Sequence, residues 1–362
     1  MRSPWKPRPR SMSMGEPAPN ARSSRALGIA LALTLAVLLG AAAATVAIGE
    51  ERGADGGQLP SASHAQMMKG ADPSSRAEAM RSSMTGDAVA APGEPGDLDS
   101  VMFPPPESPP GSKLREYDVT ATDETIEVAE GIMFKAWTYN GTVPGPIFRA
   151  REGELIRINF TNKSAHAHTI HTHGIHPADQ DGVFEVVEPG EKFSYEFVAA
   201  PYGIQPYHCH VSPVKKHIAK GMYGTFIIDP VKPRPKAKEL VMLMNGFDTD
   251  GDNSNNIYTV NGKAFFYAKY PVKVKRDELV RIYLNNMTEF DAVNSFHLHG
   301  NFFDYLPVGR AEGKIYTDIV TLGQGDRGII EVRFPYAGKF MFHAHQTEFS
   351  DLGWMGFFEV EA

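Results

Sequence analysis

Glu152-Gly153-Glu154-Leu155-Ile156-Arg157-Ile158-Asn159-Phe160-Thr161-Asn162 alternates apolar and polar side chains, and it returns 124 positions later as Arg276-Asp277-Glu278-Leu279-Val280-Arg281-Ile282-Tyr283-Leu284-Asn285-Asn286. A period of two places Ile156, Ile158 and Phe160 on one face of a strand and Arg157 and Asn159 on the other. The return predicts a second copy of the same domain. Similar short runs, such as Phe193-Ser194-Tyr195-Glu196-Phe197, stand between Gly, Pro and Asn turns. No amphipathic helix of ordinary length interrupts them, so the chain is predicted to be all-β, two β-sandwiches or barrels in tandem. Residues 115–230 form the first domain, 231–238 a Pro/Lys hinge, and 239–362 the second.

Outside this pair the texture changes. Residues 1–25 are a basic tail, with Arg2, Lys6, Arg8, Arg10, Arg22 and Arg25 against Glu16 alone, so the remainder is more acidic than the formal charge of -7 suggests. That excess argues against a nucleic-acid-binding body. Residues 26–49 are uncharged and mostly apolar, which reads as an export signal or an uncleaved membrane anchor; both place the domains outside the cytoplasm. Residues 50–114, rich in Gly, Ser, Ala and Pro, read as a disordered, flexible linker. Its Met67, Met68, Met80, Met84 and His64 are taken as incidental to a spacer, with copper(I) binding as the alternative.

One cysteine, Cys209, excludes an intrachain disulfide and a zinc-thiolate cluster. Thirteen histidines in 362 residues would give by chance about half of one His-x-His triplet. The chain has five, and four fall in two repeat-related pairs: His171/His173 with His297/His299, and His208/His210 with His343/His345. A single pair is more often structural than ligating, but four at equivalent places indicate metal binding.

Strand parity sorts these residues. His208 and His210 face one way and Cys209 the other, and His168, at odd offsets from His171 and His173, points with the cysteine. One site therefore joins His168 and Cys209 with His217 and Met222 from the following loop. Two imidazoles, a thiolate and a thioether form the ligand set of a blue copper electron-transfer centre. The other uses His171, His173, His208 and His210 with His297, His299, His343 and His345, enough for three coppers at a domain contact, as four-electron reduction of dioxygen requires. In the second copy Asn294, Ala344, Leu352 and Trp354 stand where His168, Cys209, His217 and Met222 do in the first, so its mononuclear site is lost.

These residues resemble the multicopper oxidases, specifically the two-domain, laccase-like branch with type 1 copper in the first cupredoxin domain only. The resemblance covers about residues 115–362. It rests on His168 to Gly174, on His208-Cys209-His210, and on Tyr139-Asn140-Gly141-Thr142-Val143-Pro144-Gly145-Pro146, similar to the family's domain-opening motif. It implies two cupredoxin-like Greek-key β-sandwiches and one type 1, one type 2 and two type 3 coppers per chain. His171 and His297 would hold type 2 copper; His173, His208, His210, His299, His343 and His345 the type 3 pair. It also implies a homotrimer in which domain one meets domain two of the next chain, with dioxygen and a small-molecule or metal-ion electron donor as reactants. Asp181 resembles a proton-relaying carboxylate near type 2 copper, with a simple turn residue as the alternative; Glu348 and Asp351 are weaker candidates, and His166 and His176 are surface or supporting residues.

Two rivals remain. A copper nitrite reductase, also a trimer of two cupredoxin domains, would be expected to have aspartate at position 171 and a non-ligand at 210, where this chain has histidine at both. A non-catalytic blue-copper carrier would use the Cys209 centre and leave eight histidines idle. The identity of the reducing substrate is not legible: phenols and aromatic amines are the family default, and copper(I), manganese(II) or iron(II) would be tolerated by an acidic body.

Overall fold

The computed structural model describes residues 114–362. The basic tail, the apolar segment at 26–49 and nearly all of the linker lie outside the described residues. No helix among the described residues is long and apolar enough to cross a membrane.

Residues 114–229 form two four-stranded sheets. One runs in the order Ile132–Tyr139, Leu114–Ala129, Leu155–Asn162, Lys192–Val198; the other runs Phe148–Arg151, Tyr223–Asp229, Gly203–His208, His171–Thr172. The opening stretch behaves as its alternation requires: Ile156, Ile158 and Phe160 are buried between the sheets while Arg157 and Asn159 face outward. Arg157 there bridges Glu116 and Glu196 on the two flanking strands.

Residues 238–361 repeat the plan with a six-stranded and a five-stranded sheet. Val280–Asn286 pairs in parallel with Lys238–Phe247, as Leu155–Asn162 does with Leu114–Ala129. The fold is thus two tandem cupredoxin-like β-sandwiches, and the three short α-helices among the described residues, Val214–Ala219, Phe266–Lys269 and Thr347–Asp351, all lie in connections.

The halves share buried surface. Phe134, Val143, Ile218 and Tyr223 of the first pack with Leu243, Phe247, Ile257 and Met287 of the second, and Ile204 and Ile227 pack with Val241, Tyr283 and Ile329. Beside this apolar contact, Arg149 pairs with Asp229 (2.8 Å) and Glu239 (2.7 Å), and Arg281 pairs with Glu239 (2.9 Å) and Glu331 (2.7 Å). Arg281 also donates to the main-chain oxygen of Pro235, which fixes the Pro/Lys segment against the second sandwich.

Candidate metal centres

The strand Gly203–His208 ends on one of the imidazoles and leads directly into Cys209 and His210. Its seating depends on Tyr207, whose hydroxyl donates to Pro146 O at 2.6 Å. A Cβ on Gly145 would stand 2.7 Å from that hydroxyl, so the motif Tyr139 to Pro146 needs glycine there to let the strand close.

Beyond Tyr207 the chain alternates as parity requires. Cys209 is buried in the first core with Met222, while His208 pairs in register with His171 on the other side. Cys209 Sγ lies 3.1 Å from His217 Nδ1 and 3.8 Å from His168 Nδ1, and the two ring nitrogens are 3.2 Å apart. Ligand bonds of about 2.0–2.3 Å place donor atoms of one ion roughly 3.3–3.7 Å apart, so the three atoms fit a single metal ion. The helix Val214–Ala219 turns His217 inward. Met222 closes the loop, its carbonyl accepting from Cys209 N at 3.0 Å.

Burial, reinforced by His217, drives the His168 imidazole down to about 3, and burial with His166 and Lys216 drives His217 to about 4. Both rings are therefore neutral and free to ligate at ordinary pH. Burial pushes the Cys209 thiol up, partly offset by main-chain donors including Thr169 N. Deprotonation of this thiol is thus coupled to arrival of a metal.

The remaining imidazoles form two matching quartets. Ring centroids lie 5.3 Å apart for His171–His173, 5.1 Å for His171–His208, 5.2 Å for His171–His210, 5.4 Å for His173–His208 and 5.9 Å for His208–His210. The corresponding separations in the second half are 5.0 Å for His297–His299, 5.4 Å for His297–His343, 5.3 Å for His297–His345, 5.0 Å for His299–His343 and 6.0 Å for His343–His345.

Hydrogen bonds orient the rings alike. His208 Nδ1 donates to Cys209 O (3.0 Å) and His343 Nδ1 to Ala344 O (2.6 Å), which leaves each Nε2 facing a partner: His173 Nε2 at 3.3 Å and His299 Nε2 at 2.9 Å. His171 Nδ1 donates to Asp181 O (2.7 Å) and His297 Nδ1 to Asp318 O (2.9 Å). Fixing one ring nitrogen on a carbonyl sets the tautomer and presents the other as a ligand. Burial lowers His173 to about 3 and His208 and His343 to about 4, with neighbouring imidazoles adding to the effect.

Besides its main-chain contact, Asp181 places its carboxylate Oδ1 3.3 Å from His171 Nδ1 and 3.6 Å from His176 Nε2. The close approach requires Gly182, at φ +73°, where a Cβ would stand 2.1 Å from Ile170 O. The carboxylate beside His297 is Asp318, with Oδ2 at 3.9 Å. Sequence reasoning missed it, since Asp318 lies between two strands with no counterpart at the repeat offset; Glu348 and Asp351 sit on the helix Thr347–Asp351. His176 supports Asp181, whereas His166 lies on the face of Trp137 with centroids 4.3 Å apart.

One equivalence needs correction. Met222 N donates to His217 O, and Trp354 N, its counterpart beside Ala344, donates to Phe349 O. Phe349, not Leu352, therefore stands where His217 does, because the second copy is three residues shorter in this loop.

Among the described residues, the groups whose donor atoms lie close enough to hold one metal ion include His168, Cys209 and His217, then His171, His173 and His208, then His297, His299 and His343, each within one half; His210 and His345 stand beside the last two groups rather than within them. His173 lies beside Gly325 and Arg327 of the second half.

Multicopper oxidase family models match residues 120–233 and 233–362. A solved structure titled as a multicopper oxidase is 52% identical, with a TM-score of 0.70 over 72% of this chain and 96% of that one. The copper-containing nitrite reductase of Neisseria meningitidis is 29% identical over 68% of this chain and 71% of its own length. A blue copper oxidase from Nitrosomonas europaea is 28% identical, with a TM-score of 0.63 over 68% of this chain and 86% of its own.

Proposed function

The chain belongs to the multicopper oxidase family, an oxidoreductase family that works with copper, and from that premise we propose that it takes single electrons from a reducing substrate at Cys209 and passes them to a three-copper cluster where dioxygen becomes water. The observation carrying the reading is the full complement of imidazoles in both quartets, His171 and His210 included. A nitrite reductase, whose second site holds one copper on three histidines, has no use for eight.

Copper bound at these sites supplies one-electron transfer at the thiolate and multi-electron reduction at the cluster. His168, Cys209, His217 and Met222 hold the type 1 ion. His171 and His297 hold the type 2 ion, and His173, His208, His210, His299, His343 and His345 the type 3 pair. The chain's own contribution is arrangement. Cys209 is covalently continuous with His208 and His210, so one peptide joins the two sites. Main-chain carbonyls hold the cluster imidazoles in one tautomer, and the Asp181 and Asp318 carboxylates stand where protons consumed in water formation can be held and delivered.

Each quartet is half a cluster, and the close ring pairs lie within a quartet. A homotrimer in which the first domain of one chain meets the second domain of the next would complete three clusters. Exposed Ile175, two residues beyond His173, and Phe302, three beyond His299 and packed with exposed Tyr316, are apolar side chains that such a contact would cover. Ala26 to Gly49 would hold the assembly outside the cytoplasm, as a signal or an anchor.

The nitrite reductase relatives give the second reading its weight. Oxygen uptake with a phenolic donor, run against anaerobic nitrite turnover, separates the two: oxygen consumption without nitrite supports the oxidase, and nitrite turnover without oxygen uptake overturns it.

A further inference from the structure

The surface over the Cys209 centre gathers lysines around aromatic rings. Trp137 covers His217 and His168, with centroids at 4.8 and 5.5 Å, and carries the exposed His166 on its other contact. Around this aromatic shelf stand four lysines. Lys216 Nζ lies 5.3 Å from the Trp137 ring centre, Lys220 Nζ lies 4.6 Å from that of Phe134 and donates to Lys135 O, and Lys215 Nζ lies 4.5 Å from the Phe290 ring. Lys135, Lys215 and Lys216 are exposed. Aromatic faces hold the ammonium groups of Lys215, Lys216 and Lys220 in place, so their charges are set before any ligand arrives.

Of the acidic groups nearby, Asp123 accepts from Ser164 Oγ and Ala165 N, Asp248 accepts from Gly251 N and Asn253 N while its charge also acts on Lys220, and Glu127 pairs with Lys263. In a chain of net charge -7, these four lysines surround the place where electrons must enter if the type 1 reading above holds, on which this inference rests.

We infer that this face selects the reducing substrate by charge: Lys135, Lys215, Lys216 and Lys220 around Trp137 and His166 favour a small anionic one-electron donor and disfavour cationic donors such as low-valent metal aquo ions. Each donor gives one electron, four of them with four protons reduce one dioxygen to two waters, and the donor leaves one unit more positive. The charge of these lysines raises the encounter rate of an anion and lowers that of a cation.

The test uses the copper-loaded chain with hexacyanoferrate(II) as anionic donor and hexaammineruthenium(II) as cationic donor. Bleaching of the copper-thiolate absorption is followed by stopped flow without oxygen. Raising ionic strength from about 20 to about 500 mM should slow the anion about tenfold and speed the cation. K215E/K216E should shift the anion-to-cation rate ratio by about 10- to 100-fold toward the cation, with the copper-thiolate band retained as evidence of an intact site. Should that variant lose the band, K215Q/K216Q takes its place with a smaller shift in the same direction.

An independent arm titrates the copper-free chain with hexacyanocobaltate(III), a redox-inert anion, by calorimetry. Binding that weakens with salt and with K215Q/K216Q supports the inference. Rate ratios within about twofold of wild type in both lysine variants, or calorimetric binding indifferent to them, would overturn it. A chain that takes up no copper at Cys209 defeats the functional reading instead, and the calorimetric arm still decides the charge selection.

Discussion

Trp354 donates its indole N–H to Asn294 Oδ1 at 2.9 Å, inside the second sandwich. The pair occupies the positions that Met222 and His168 hold in the first. Asn294 Nδ2 in turn donates to Thr288 Oγ1 at 2.9 Å, as His168 Nε2 lies 3.0 Å from Ser164 Oγ in the first half. The mononuclear site has been replaced by a packed, hydrogen-bonded plug rather than left as a void. Trp354→Met removes one buried donor and opens a cavity, and is expected to cost about 2–4 kcal/mol of unfolding free energy. Copper content should not change. Denaturant titration with metal analysis checks both, and unaltered stability would show that the plug contributes nothing.

Cys209 is the one thiolate available to the first site. Cys209→Ser should abolish the copper-thiolate absorption and lower copper from about four to about three ions per chain, as metal analysis and the visible spectrum would report. Loss of all copper would mean that the cluster depends on this residue.

Asp181 and Asp318 each present a main-chain oxygen to a ring nitrogen and a carboxylate close by. Substitution by asparagine keeps the main-chain contact and removes the acid. Asp181→Asn/Asp318→Asn is expected to slow reoxidation of the reduced enzyme by oxygen on the order of 100-fold, while anaerobic reduction at Cys209 stays within about twofold. Equal slowing of both half-reactions would assign these residues a structural role.

Arg149 joins the halves through Asp229 and Glu239, with its side chain 4% exposed. Arg149→Met removes the buried guanidinium from both carboxylates and is expected to destabilise the chain by about 3–5 kcal/mol. Arg149→Lys, which keeps the charge without the fork that reaches both acids, should lose less. Urea melts of both variants test the pair.

The buried imidazoles fix a direction for pH. In the unfolded chain they titrate near about 6.5, whereas burial brings His168 and His173 to about 3 and His208, His217 and His343 to about 4 in the fold. Below pH 6.5 the unfolded chain takes up protons that the folded one refuses. The copper-free protein therefore loses stability as pH falls from 6.5 toward 4, by up to about 1.4 kcal/mol per pH unit for each such ring. The loss should be shallower in His217→Phe, and thermal melts across that range would show it; an identical slope in the variant would contradict the assignment.

Much of this arrangement is legible in the sequence because strand parity is a local property. The alternation Ile156, Ile158, Phe160 identifies the sandwich, and the triplet His208-Cys209-His210 divides its side chains between two faces wherever the strand lies. What sequence conceals is set by loops. Phe349 replaces His217 through a loop shorter by three residues, Asp318 reaches His297 from a connection that has no repeat offset, and the lysines around Trp137 come from a strand and a helix that only folding brings together.

Native mass spectrometry of the copper-loaded protein tests the shared cluster most directly. Three chains carrying about twelve copper ions are expected. A monomer, or a trimer holding about two coppers per chain, would contradict it.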